Sequence, residues 1–305
     1  MPRPEDIFLR LPCNDFAYEQ SYGSGPSYLA NGIIDTRHGP YASQLQTGTM
    51  GWLVSIVAIW GDVNDFILRS SYQSDEVYKE TYESFYQTVQ DRTADWVNGL
   101  QECLRYGPAN LDRSIQQGYA GLYILVHTTY HVSMMKLNRY MRHAAIPDAV
   151  GRNIRTANHH GHEILRIMTS FDLARKGMGE TKSMDFAFAT SFPGYAISSA
   201  IDTVSAGGLD SNLKSTLEEM DGALGCLRDL AKTWHRCEKQ LRDCETRLYQ
   251  LKNVTLAPKK AKSGCWLGRK WGLQSPLEEE FGPDNDCIYG LGDQEAKYFD
   301  AFKGT

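Results

Sequence analysis

Apolar residues between positions 113 and 142 recur at helical spacing through Tyr119, Leu122, Leu125, Val126, Thr129, Val132 and Leu137. This is the period of one helix face. Tyr123 and Ile124 add bulk on the other side, so the helix they predict is covered on most faces. At about 1.5 Å of rise per residue it would run roughly 45 Å. Only its end turns polar, where Lys136, Asn138, Arg139 and Arg142 set cations against the negative end of the helix dipole. The rest of the chain is expected to pack around this element.

The pattern before it predicts three helices. From 44 to 69, Met50, Leu53, Val54, Val57, Ile59, Trp60, Val63 and Ile67 keep helical spacing and leave little polar surface near the middle. Ser74-Asp75-Glu76 gives a start signal with acids in the first turn. An aromatic stripe follows through Val77, Tyr78, Thr81, Tyr82, Phe85, Tyr86 and Val89, expected in the core rather than as a ligand cage. A third helix is expected from Trp96 through Leu100 to Leu104, closed by Gly107-Pro108. Asn110 or Asp112 would then cap the organising helix.

After Pro147, Ile154, Ala157, Gly161, Ile164, Leu165 and Met168 predict a helix over 148–176, ended by Gly177 and Gly179. A small-residue helix is expected to open near Pro193 and end at Gly207-Gly208. The segment 211–252 then repeats by sevens: Leu213, Met220, Leu227, Trp234, Leu241 and Leu248, with Leu230, Cys237, Cys244 and Leu251 three residues on. That pattern is a coiled-coil-like seam, which either meets another helix of this chain or a second copy. Gly222 and Gly225 would weaken a free-standing coiled coil and favour the former.

No stretch alternates cleanly enough to predict a strand, so the fold class is all-α. Residues 1–40, rich in Gly and Pro, read as an irregular lead-in, 41–253 as the helical domain and 254–305 as a flexible tail. The tail opens with Lys259, Lys260, Lys262, Arg269 and Lys270 interleaved with Trp266 and Trp271, a nuclear-import signal, a local phosphate contact or a solvated face. It continues acidic and aromatic through Phe281, Tyr289, Tyr298, Phe299 and Phe302, like transcription activation segments.

Composition narrows the function classes. A formal net charge of −5 offers no global basic footprint for a phosphate backbone. Seven cysteines without a CxxC pair read as reduced intracellular thiols. The start, PRPEDIF, lacks a signal peptide's charged and apolar regions, and the apolar run 52–60 is too short to span a bilayer, so no membrane is expected.

Candidate chemistry begins with His127 and His131, one turn apart on the organising helix. A HExxH zinc hydrolase needs a glutamate as general base after the first histidine, and that position is Thr128. His159, His160 and His162 offer a third ligand, though no spacing singles one out; the alternative is packed histidines bonded to backbone carbonyls or hydroxyls. Glycine loops for phosphate, nucleophile elbows and zinc quartets are missing, so no catalytic residue is assigned and a non-enzyme is expected. An effector pocket, a largely apolar site with a few converging polar groups, is expected around Tyr123, His127, Tyr130 and His131.

Several stretches, in order, carry a family resemblance. They are Leu11-Pro12-Cys13-Asn14-Asp15, Ile59-Trp60-Gly61-Asp62-Val63, Trp96, Leu104, Asn110-Leu111 and the segment Leu125 to His131. Leu137-Asn138-Arg139, Phe192-Pro193-Gly194-Tyr195 and Ala206-Gly207-Gly208-Leu209 complete the order. Over residues 9–251 the chain resembles the central regulatory region of fungal zinc-cluster transcription factors. The resemblance implies an all-helical regulatory domain behind a six-cysteine, two-zinc DNA-binding module and a dimerising linker.

This chain has no such cysteine cluster, so zinc and DNA contacts are expected only through a module absent from it, and no cofactor is expected within it. The helices that precede the Leu-Pro-Cys segment in the family are absent too, which would make the chain a fragment or a shortened relative with uncovered apolar surface. The resemblance also implies a nuclear protein with partners in the transcription machinery, as a homo- or heterodimer. The other reading is a helical interaction module that works alone, for example by forming mixed dimers through the 213–251 seam.

Overall fold

The computed structural model describes residues 9–13, 28–30, 33–35, 47–142, 145–177, 188, 190–206 and 213–256. Eight α-helices lie among them: α1 (Thr49–Ser70), α2 (Asp75–Gly99), α3 (Pro108–Gln116), α4 (Ala120–Arg139), α5 (Val150–Lys176), α6 (Phe192–Ala206), α7 (Leu213–Thr233) and α8 (Arg236–Leu256). The all-α expectation holds for the body of the chain. The sequence features expected of the tail beyond Leu256 lie outside the described residues.

Within the lead-in, where irregular backbone was expected, three short strands form an antiparallel sheet: β1 (Leu9–Arg10), β2 (Tyr28–Ala30) and β3 (Ile33–Asp35), in that order. Strands of two or three residues are too short to show alternation. The readable signal was Asn31-Gly32, the two-residue hairpin dipeptide, between β2 and β3. A single bridge from Cys13 to Thr47 ties this region to the start of α1, and Gly48 N donates to Pro12 O at 3.2 Å.

The organising helix is shorter than the 113–142 span read for it, though its apolar period from Tyr119 to Leu137 coincides with α4. Gly118 adopts φ +79°, a left-handed conformation that only glycine takes without strain, and it divides the segment into α3 and α4. Neither Asn110 nor Asp112 caps it; Pro108 occupies the first turn of α3, and Asn110 Nδ2 donates instead to the carbonyls of Glu102 and Arg105. The central role survives the break, because α4 packs against α1, α3, α5 and α6. Every residue from Val132 to Arg139 is buried, the polar Lys136, Asn138 and Arg139 included.

One further boundary moved. Trp96 belongs to α2, which continues unbroken to Gly99 and is followed by a 3-10 turn at Glu102–Leu104 rather than a third helix. The start of α2 is as read, with the Ser74 hydroxyl accepting from Val77 N. Tyr78, Tyr82 and Tyr86 bury the stripe, and Phe66 of α1 stacks on Phe85 at 4.0 Å. By length and composition α1 is apolar enough to cross a membrane, contrary to the expectation from 52–60. Here its inner face, Trp52, Ile56, Ile59, Val63 and Ile67, is packed against α2 and α4.

The seam is also interrupted. Residues 234–235 separate α7 from α8, and ion pairs Arg228–Glu245 and Asp221–Lys252 show the two helices running antiparallel. Met220, Leu227, Leu230, Cys237, Cys244, Leu248 and Leu251 all turn inward, so the seven-residue repeat is the inner face of a helical hairpin. The two glycines have a packing reason. A Cβ at Gly222 would lie 2.6 Å from the Thr169 side chain, and one at Gly225 would lie 2.5 Å from the Asp172 carboxylate, so they let α7 close onto α5.

Candidate functional site

The amino-terminal half of α4 fastens the segment that follows α2. The Tyr123 hydroxyl donates to Arg105 O at 2.8 Å and accepts from Gly107 N at 3.2 Å. His127 Nε2 lies 2.9 Å from Leu104 O; a carbonyl only accepts, so Nε2 carries the proton. Burial of this ring favours its neutral form and pulls its pKa down to about 4. His127 is therefore the packed, backbone-bonded histidine of the second reading above, set among Tyr106, Tyr123 and Trp96.

One turn on, Tyr130 and His131 are half-buried. Tyr130 stacks on Trp96 of α2 with ring centroids 5.6 Å apart, and burial raises its phenol pKa. His131 points at His160 of α5, Nδ1 to Nδ1 at 2.9 Å, so one ring must donate and the other accept. Burial first, and then neighbouring histidines, hold both below the usual range, His160 at about 3. The edge of Tyr130 rests on both rings.

The four candidate residues thus fall into two neighbouring groups. Tyr123 and His127 are buried and bonded to backbone; Tyr130 and His131 are half-buried and meet the buried His160. His162 lies elsewhere, bonded to Glu219 of α7 at 2.6 Å, and His159 stands beside His160 with centroids 5.1 Å apart. Among the described residues no three His, Cys, Asp or Glu side chains converge to hold a metal ion. Cys226, Cys237 and Cys244 are buried free thiols, and burial raises the pKa of Cys226 and takes that of Cys244 to about 12, disfavouring thiolate chemistry.

Two arrangements at the far end of α4 were not foreseen. Lys136 is only 1% exposed; its Nζ donates to Asn64 Oδ1 at 2.5 Å and lies about 6 Å from the rings of Trp60, Tyr140 and Tyr195. Arg139 reaches Asp202 and Thr203 of α6, and Asp202 also receives Arg247 of α8. This carboxylate joins three helices. A lone acid inside the apolar, small-residue helix 192–206 was the readable sign that a buried partner was required.

Comparison with known proteins gives one partial match. Over 139 residues the chain is 24% identical to an uncharacterized transcriptional regulatory protein of Schizosaccharomyces pombe. The match covers 44% of this chain and 14% of that protein, so the chain spans a small part of its relative's length. No family model matches the chain. No solved structure matches it.

Proposed function

We propose that this chain is a regulatory region of a fungal transcription regulator of the zinc-cluster type, acting by protein contact or effector binding rather than by catalysis. The observation that carries this is the 139-residue similarity to a fungal transcriptional regulatory protein, on a chain whose described body is helical. The ordered motifs from Leu11 to Leu209 agree with it. In this reading zinc and DNA contacts belong to a cysteine module on another part of a longer protein, and the protein works in the nucleus.

Two places suit the two modes of action. An effector would meet Tyr130 and His131 first, with Tyr123 and His127 behind them, because the first pair lies at the accessible edge. A protein partner would meet α1, whose Met50, Val54 and Val57 are exposed one turn apart while the opposite face is packed. The alternative, a stand-alone interaction module, makes a different prediction in the same assay. When residues 1–305 are fused to an unrelated DNA-binding domain in a fungal cell, a reporter bearing that domain's sites should change its transcription at least severalfold. An unchanged reporter, with the fusion present in the nucleus, would favour the stand-alone module.

A further inference from the structure

We propose that His131 and His160 form a proton-operated latch between α4 and α5, closed by a single shared proton and opened when the pair takes up more. The geometry is a direct Nδ1 to Nδ1 contact of 2.9 Å between two helices packed against each other. A neutral pair satisfies this contact with one Nδ1–H donating to one bare Nδ1. Protonating the donor ring at its Nε2 places a charge in the half-buried site. Protonating the bare Nδ1 sets N–H against N–H, and the rings must part.

The surroundings hold little to neutralise such a charge. Tyr130 of α4 rests on both rings, with Trp96 of α2 stacked on it. The titratable groups facing it are His127 on α4 and His159 on α5. The acid one turn on from His160 in α5, Glu163, interacts with Tyr106 and is held by Arg166 at 2.6 Å. Opening wets the rings and lets them charge, so the open form binds more protons than the closed one. Both rings are held below their ordinary value, hence the closed form is fully favoured above about pH 6.5 and loses ground as pH falls below it.

Gly161, next to His160, brings α5 close to α6, where a Cβ would lie 2.9 Å from Val204. A shift of α5 at this turn is therefore passed to α6, the helix that carries Asp202 and its two arginines. A proton at the α4–α5 contact thus has a route to the α8 hairpin.

Hydrogen exchange of the full chain at pH 7 and pH 5, corrected for intrinsic rates, tests the latch on α5 residues 156–164. Each ring that must wait for opening to be protonated shifts the equilibrium by about 25-fold over this range. Protection there should fall at least about tenfold, and α7 residues 217–230 should change less. The variant His131→Asn/His160→Asn keeps a side-chain hydrogen bond without a titrating proton and should hold its protection at pH 5. An equal fall in that variant, or an even fall across all helices, would overturn the proposal. Should the variant not fold, ring nitrogen resonances of the unaltered protein decide: two rings titrating independently near the ordinary histidine value exclude the latch, whereas two well-separated steps below it support it.

Discussion

A single side chain can hold much of this molecule in place, and Asp202 is the clearest case. It faces Arg139 and Arg247, all three from different helices and each largely withdrawn from water. Breaking a buried ion group by removing the shared partner leaves uncompensated charge. Asp202→Asn should therefore cost about 3–5 kcal/mol in urea unfolding, whereas replacing the surface partner of a pair such as Arg69–Asp65 should cost well under about 1 kcal/mol. Residues of this kind were the hardest to read in the sequence. Lys136 and Arg139 sit where a helix dipole favours cations, and nothing in their spacing told a solvated end from a buried one. His127 was legible because a missing glutamate removed the metal reading; the His131–His160 contact was not, because it depends on how two helices cross.

Elements were legible where their ends carry local chemistry. Ser74 with Asp75 and Glu76 marked the start of α2, and Pro147 and Pro193 marked those of α5 and α6. Breaks that rest on one residue's backbone were missed. Gly118 lies within the 113–142 segment read as one helix, just before its apolar period begins at Tyr119, and its positive φ divides α3 from α4. Gly118→Ala should cost about 1 kcal/mol or more through strain, since nothing lies within 4 Å of an added Cβ, and Gly118→Asn should cost less. The seam misled differently. A hairpin keeps the same rows turned inward on both arms, so the repeat passes through residues 234–235 without a fault. Its glycines yield the matching prediction: Gly225→Ala, pressing on Asp172 of α5, should lower stability by about 1–3 kcal/mol in the same unfolding measurement.

For the whole molecule, the fold class was the most secure reading because it rests on summed periodicity, and the helices from α1 to α8 bear it out. The seam's inner rows meet within the chain, so light scattering should show no dimer that depends on Leu227, Leu230 or Leu248; mixed dimers through this face require the hairpin to open. Function is less legible than fold, because regulation by contact leaves no catalytic spacing and must be inferred from relatives and surfaces. The fold is centred on α4, against which α1, α3, α5 and α6 are packed and on which the candidate site lies. Amide hydrogen exchange at pH 7 tests this most directly, because a helix buried by all its neighbours opens only with the whole. The amides of residues 124–138 should exchange last, at the rate set by global unfolding. Exchange in α4 faster than in the α7–α8 hairpin would contradict the account.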